Sequence, residues 1–184
     1  MTKIGLLSDT HAYLNPRIFE HFKDVDQIWH VGDIGSIEVV EQLEAFKPFR
    51  AVYGNIDGYE IRQKYPIYDR FFCEKVDVLM THIGGYPGRY DRSIKTILYE
   101  QPPKLFISGH SHILKVMYDK SLNLLHINPG AAGRYGFHKV STIVRFEIEN
   151  DGSTIDSEEI KKVWDEFYKS DSVNRSTIGS SGLG

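Results

Sequence analysis

Five short apolar runs in this 184-residue chain each stop at a residue that can bind a metal, and this repetition constrains the fold more than any other feature. Lys3–Leu7 ends at Ser8-Asp9-Thr10-His11, Gln27–Val31 at Gly32-Asp33, and Arg50–Tyr53 at Gly54-Asn55. Val76–Thr81 ends at His82, and Leu105–Ser108 at Gly109-His110-Ser111-His112. Short runs bounded by turn residues read as buried strands. Helical segments separate the first three. Asn15-Pro16 opens one through about Phe22, with Asn as N-cap and Pro in the first turn. Ser36 opens another through Phe46, where Ile37, Val40 and Leu43 recur at helical spacing. Strand–helix–strand order predicts an α/β fold with a largely parallel sheet. In such sheets the carboxyl ends of the strands open on one crevice.

The middle of the chain changes character. Ile67–Glu74 and Val76–Thr81 read as adjacent strands, and Gly84-Gly85-Tyr86-Pro87-Gly88 as a loop. Arg92–Tyr99 reads as a helix broken by Pro102-Pro103, and Leu114–Tyr118, Leu122–His126 and Thr142–Ile148 as antiparallel strands. Asn150-Asp151-Gly152 is a turn signal. Asp156 to Tyr168 fits an additional amphipathic C-terminal helix, with Ile160, Val163, Trp164, Phe167 and Tyr168 on one side and Asp156 and Glu159 at capping-box spacing. Residues 169–184, rich in Ser and Gly without periodicity, read as a disordered tail. The expectation is one domain over residues 1–168, with its core in about 1–149.

Composition removes several classes. One cysteine, Cys73, excludes an internal disulfide framework and argues against a thiolate cluster. Met1-Thr2-Lys3 leads straight into a strand, without the pattern of a signal peptide. No run approaches the roughly 18 apolar residues of a membrane span. With 22 Lys+Arg against 25 Asp+Glu, the chain lacks the basic footprint of a protein that grips long nucleic acid by charge. A reducing, cytoplasmic setting is expected.

The strand ends gather two carboxylates (Asp9, Asp33), one amide (Asn55) and four imidazoles (His11, His82, His110, His112). Seven such groups exceed what one ion of four- to six-fold coordination takes, and they suit two ions sharing a carboxylate. Nitrogen and oxygen donors without sulfur favour manganese, iron, nickel, cobalt or zinc over a dedicated calcium or magnesium site. Manganese is the first expectation. Each motif alone is a common turn; their joint order, each after a predicted strand, carries the argument.

In the order D-x-H, G-D, G-N-x-D, H, G-H-x-H, residues from about 3 to 149 resemble the calcineurin-like metallophosphoesterase superfamily, particularly its small single-domain bacterial and archaeal phosphodiesterases. The resemblance implies a four-layer α/β/β/α sandwich, two mixed sheets flanked by helices. It implies that Asp9, His11 and His112 hold a first divalent metal and Asn55, His82 and His110 a second, with Asp33 bridging. Asp33, Asn55 and His82 are then the catalytic candidates. The implied reaction is hydrolysis of a small phosphate ester, a phosphodiester above all, by in-line attack of a metal-bridging hydroxide. Two divalent ions and two aspartates leave a net charge of +2, so the site attracts phosphate although the chain is acidic overall. Asn128-Pro129-Gly130 resembles a turn that closes near the site.

Two positions depart from the family pattern. Ile56 stands where many members have a histidine proposed as general acid, and His82-Ile83-Gly84-Gly85 replaces H-G-H. The alternative is a non-catalytic interaction scaffold on the same fold, like the retromer scaffold subunit, whose metal site is incomplete. Here all seven positions hold competent residues, which favours an enzyme. Arg134 and His138 follow the Asn-Pro-Gly turn and are candidates for phosphate contact. His30 reads either as a partner orienting a ligand or as a core histidine, and His21, His126 and Cys73 read as structural. The apolar stripe of the C-terminal helix leaves a homo-oligomer open.

Overall fold

Alternation of side chains along the strands decides how the layers stack. The structure is a computed structural model and describes residues 1–136, 140–149 and 168–169. The first half runs β1 (Thr2–Leu7), α1 (Arg17–His21), β2 (Gln27–Val31), α2 (Ile37–Phe46), β3 (Phe49–Val52) and α3 (Tyr59–Lys64). The second runs β4 (Tyr68–Cys73), β5 (Val76–Thr81), β6 (Gly85–Tyr86), β7 (Arg89–Tyr90), α4 (Arg92–Glu100), β8 (Leu105–Ser108), β9 (Leu114–Asp119), β10 (Leu124–Pro129), β11 (Thr142–Ile148) and β12 (Tyr168–Lys169).

Two five-stranded sheets result, ordered β12-β11-β1-β2-β3 and β4-β5-β8-β10-β9. Both are mixed. In the first, β1, β2 and β3 are parallel and β11 joins β1 antiparallel. In the second, β5, β8 and β10 are parallel, with β4 and β9 as antiparallel edges. Alternate residues of both sheets meet in one apolar layer. Ile4, Leu6, Trp29, Val31 and Val52 come from the first sheet, and Val78, Met80, Leu105, Ile107, Leu125 and Ile127 from the second. Trp29 lies edge-on to Phe71 and Phe146, at 5.0 and 5.8 Å between ring centroids. The intervening residues face outward onto helices. Leu7, Ile28 and Ala51 pack with Ile18 of α1 and Val39, Val40 and Leu43 of α2. Leu79, Phe106 and Leu124 pack with Ile94 and Leu98 of α4. This is the four-layer α/β/β/α sandwich that the resemblance implies.

The differences from expectation are local. Helix α3, unanticipated, buries only Ile61, so its apolar periodicity is too thin to read. The glycine-rich stretch holds a two-residue hairpin, β6–β7. The strand expected over 122–126 starts at Leu124, because the Asp119 carboxylate builds a turn by accepting from Ser121 N, Ser121 Oγ and Leu122 N. Cys73 is buried in the core as expected, and burial pushes its thiol up. The expected C-terminal helix lies outside the described residues except Tyr168, which pairs with Ile143 as part of β12. Of the expected tail, only Lys169 is described, in the same strand. Among the described residues no helix is long and apolar enough to cross a membrane.

Candidate metal centre

The loops that leave β1, β2, β3, β5 and β8 turn back sharply over the strand ends. Five candidate ligands take left-handed backbone to do so: Asp9 (φ 54°), His11 (48°), Asp33 (52°), His110 (65°) and His112 (56°). Non-glycine residues occupy this region only when surrounding structure holds them there. Here the loops are stitched together. Asp9 N donates to Gly32 O, His11 N to Asp33 O and Gly109 N to His82 O, at 2.9–3.0 Å.

Each carboxylate has one oxygen tied to protein and one left toward the imidazoles. Asp9 Oδ2 accepts from Ser8 Oγ at 2.6 Å and from His110 N at 3.2 Å. Asp9 Oδ1 is buried and receives no hydrogen bond of acceptable geometry. It faces His112 Nε2 at 3.1 Å and both His11 Nε2 and His82 Nε2 at 3.9 Å. Asp33 Oδ1 accepts from Ile56 N at 3.0 Å, while Oδ2 faces His82 Nε2 at 3.3 Å and His11 Nε2 at 3.9 Å. Gly54 makes this possible, since a Cβ there would sit 2.0 Å from Asp33 Oδ1.

The imidazoles are aimed as well. His82 Nδ1 stands 2.7 Å from Val31 O. A carbonyl only accepts, so Nδ1 carries the proton and, in the neutral ring, Nε2 presents a lone pair. That Nε2 is buried without a hydrogen-bond partner. His11 and His112 bring their Nε2 atoms within 3.4 Å, and the His110 ring lies 5.2 Å from that of His82.

The electrostatics follow from this crowding. Burial works to lower the His82 pKa, but Asp33 and Asp9 outweigh it and hold the imidazole above its ordinary value. Asp9 does the same for His112. Burial works to raise Asp33, yet His82, the Ile56 N–H and His11 together hold it below the usual carboxylate range.

The ligand-type atoms form two groups, Asp9/His11/His112 and Asp33/His82/His110, each with its atoms within 4.8 Å of one another. Asn55 is exposed at the same sheet edge, between Gly54 and Ile56, both of which lie against Asp33. The donor set fits divalent cations on the geometry alone. Two buried polar atoms, Asp9 Oδ1 and His82 Nε2, lack the partners that such atoms need, at about 1–3 kcal/mol each, and a cation between the groups would satisfy both.

Several supporting residues carried little or no sequence signal. The buried Asp57 accepts from Gly35 N and Gly54 N, both at 2.7 Å, and so ties the loop after β2 to the loop after β3. Its place in G-N-x-D was visible; its task was not. Arg62 of α3 donates to Asp57 O at 2.6 Å and Asn55 O at 3.0 Å, and nothing in the sequence singles it out. Asn128 donates to Gly109 O at 2.7 Å and Ser111 Oγ at 3.1 Å, so the Asn-Pro-Gly turn braces the G-H-x-H loop. Arg134 is exposed, stacks 3.8 Å from the Tyr13 ring centroid and donates to its hydroxyl. The neighbouring Tyr135 ring lies 6.3 Å from that of His11. His138 lies outside the described residues. Ile56, Ile83 and Ile113, each following a candidate ligand in the chain, are exposed.

Comparison with known proteins identifies relatives in sequence and in fold. The chain is 30% identical over 166 residues to a probable metallophosphoesterase of Methanothermobacter thermautotrophicus, covering 86% of this chain and 91% of that protein. Its fold resembles a solved archaeal phosphodiesterase (TM-score 0.66, 23% identity, 91% of this chain and 98% of that one). It also resembles Vps29 of Chaetomium thermophilum (TM-score 0.67, 12% identity, 81% and 83%). The family model described as the calcineurin-like phosphoesterase superfamily domain matches residues 2–151, and by that match the chain belongs to the calcineurin-like phosphoesterase superfamily.

Proposed function

We propose that this metallophosphoesterase is a two-metal phosphodiesterase acting on small phosphate esters. The observation that carries the reading is the pair of buried, unpartnered ligand atoms, Asp9 Oδ1 and His82 Nε2, set between two carboxylate–imidazole groups. In this reading Asp9, His11 and His112 hold one divalent ion, Asn55, His82 and His110 the other, and Asp33 is shared. Manganese is the first choice for nitrogen–oxygen donors without sulfur, with nickel, iron, cobalt and zinc as competitors. Bound there, two such ions would supply an activated water and offset charge on the phosphoryl oxygens.

The chain's own groups do the rest. Val31 O keeps the His82 proton on Nδ1, so Nε2 stays a ligand. Ile56 N turns the free oxygen of Asp33 toward the imidazoles. Asp33, Asn55 and His82 thus border the reacting phosphoryl group. Arg134, lifted from Tyr13, is the candidate for a further phosphate oxygen. Residue 56 offers an isoleucine and no proton, and Asp57 spends both oxygens on backbone N–H groups. Neither position can protonate the leaving alkoxide, which favours acidic alcohols. The exposed isoleucines beside the ligands favour esters with an organic arm over a bare terminal phosphate. A cytoplasmic enzyme on a diffusible substrate fits these features. The Vps29 likeness concerns the fold, and the complete ligand set favours hydrolysis over a scaffold role.

The test is a metal-stripped sample titrated with manganese against a bis-aryl phosphate, an aryl monophosphate and cyclic nucleotides, alongside Asp33→Ala and His82→Ala. Diester hydrolysis that rises with metal and disappears in both variants is expected. Equal activity in the variants overturns the reading.

A further inference from the structure

We propose that two buried histidines outside the metal centre, His30 and His126, are positioning residues that latch the ligand loops together in pairs. The proposal rests on the metal-centre reading above.

The two residues occupy matching places in the two sheets. His30 lies on β2, beside the parallel strand β1, and His126 lies on β10, beside the parallel strand β8. Their neighbours Trp29 and Val31, and Leu125 and Ile127, belong to the layer between the sheets, so both histidines face the outer, helix-covered sides. Both are fully buried. Each stands beside a phenylalanine ring, Phe49 at 6.5 Å and Phe106 at 5.5 Å between centroids.

Each presents Nε2 to a hydroxyl near the end of the adjacent strand. His30 Nε2 is 2.9 Å from Thr10 Oγ1, and His126 Nε2 is 3.0 Å from Ser108 Oγ. Each hydroxyl donates its own proton elsewhere, Thr10 to Ile34 O and Ser108 to Gly85 O, both at 3.0 Å. A hydroxyl has one proton, so each must accept from the imidazole, which fixes the Nε2–H tautomer in both rings. Nδ1 is then a bare acceptor, and in both histidines it has no partner. Burial holds both rings neutral, with pKa values lowered to about 3.

The links run between ligand loops. Thr10 sits between Asp9 and His11, and Ile34 follows Asp33. Ser108 precedes the His110–His112 loop, and Gly85 lies in the loop after His82. One hydroxyl therefore joins the first two ligand loops, the other joins the last two, and a histidine behind each aims its proton. A phenylalanine would fill either space without leaving an unpaired nitrogen. What histidine adds is the Nε2–H donor, and what that donor orients is the spacing of the ligands.

The test uses the full chain, metal-stripped, titrated with manganese by calorimetry and melted by circular dichroism. His30→Phe and His126→Phe are expected to fold and to bind manganese about 10–100-fold more weakly, the usual cost of losing a group that orients a ligand. His30→Gln and His126→Gln, whose amide N–H reaches the Nε2 position, are expected to recover most of that loss. Thr10→Val and Ser108→Ala should weaken binding to the same degree, and the Thr10→Val/His30→Phe double variant no further than either single change. Phe variants with wild-type affinity, or Gln variants no better than Phe, overturn the proposal. Should the Phe variants not fold, wild-type affinity in Thr10→Val and Ser108→Ala does so instead. A wild-type chain that binds manganese but cleaves no ester ends the phosphodiesterase reading and leaves the latches to be judged on affinity. A chain that binds no divalent cation ends both.

Discussion

The two halves of the metal centre are built from the same residue types but to different standards of rigidity. In the Asp33/His82/His110 half, His82 is 2% exposed and Asp33 3%, each fixed by a backbone group, Val31 O and Ile56 N, while His110 is exposed. In the Asp9/His11/His112 half, Asp9 is fully buried, but His11 and His112 are 18% and 19% exposed, with their Nε2 atoms facing across 3.4 Å. One half sets a carboxylate and an imidazole on backbone and leaves its third group, His110, in the open. The other fixes its carboxylate and leaves both imidazoles half-buried. Were each half to take an ion, the backbone-fixed Asp33–His82 pair would hold its ion more firmly than two half-buried imidazoles would.

The largest expected effect removes Asp33, the carboxylate that the proposed function sets between the two ions. Asp33→Ala should lower kcat/KM at saturating manganese by at least about 10³-fold, roughly 4 kcal/mol of lost stabilisation. Next, His82→Ala and His112→Ala separate the halves. Calorimetry should show the tight manganese site lost in the first and the weak one in the second, with affinity falling about 100-fold against about 10-fold. Equal losses would erase the asymmetry. Asp57→Ala acts on the Asp33/His82/His110 half through its support. Two backbone N–H groups, that of the buried Gly54 and that of the part-buried Gly35, lose their acceptor, so thermal unfolding should report a loss of about 2–4 kcal/mol.

A pH titration of the metal-free protein sharpens the contrast without mutation. His82 and His112 have raised folded pKa values, so their stabilisation is complete below the ordinary histidine value of 6.5 and fades as pH rises through the raised values. Asp33, with a lowered folded pKa, contributes above 3.8 and loses its contribution as pH falls through the folded value. These groups together favour a stability maximum between those limits. Bound manganese should move the maximum upward, because it competes with the same protons. The smallest effect belongs to Arg134→Ala at the rim, a rise in KM of less than about fivefold, or ~1 kcal/mol, with kcat unchanged.

The sequence shows the strands that carry the site because each is a short apolar run cut off by Gly, Asp or His, and burial on both faces leaves no polar alternation to blur the limits. Gln27–Val31, Val76–Thr81 and Leu105–Ser108 are read to the residue. Helix α3 is not legible, since a surface helix with one buried residue has no stripe. Arg62 is equally hidden, because its partners are backbone carbonyls and backbone leaves no trace in residue identity. His126 shows a different blindness. A histidine in an apolar run looks structural until the hydroxyl that it faces, eighteen positions earlier in the chain, is seen.

The left-handed backbone at Asp9, His11, Asp33, His110 and His112 bears on how such a protein ages through evolution. Each non-glycine residue held there costs on the order of 1 kcal/mol that a glycine would not. Selection for metal binding is then what keeps those side chains in place, against a standing bias of the fold. A duplicated copy released from that selection could trade ligands for glycine and recover this strain wherever the side chain holds no neighbouring loop in place. Along such a lineage, lost chemistry at those positions would show as a higher melting temperature.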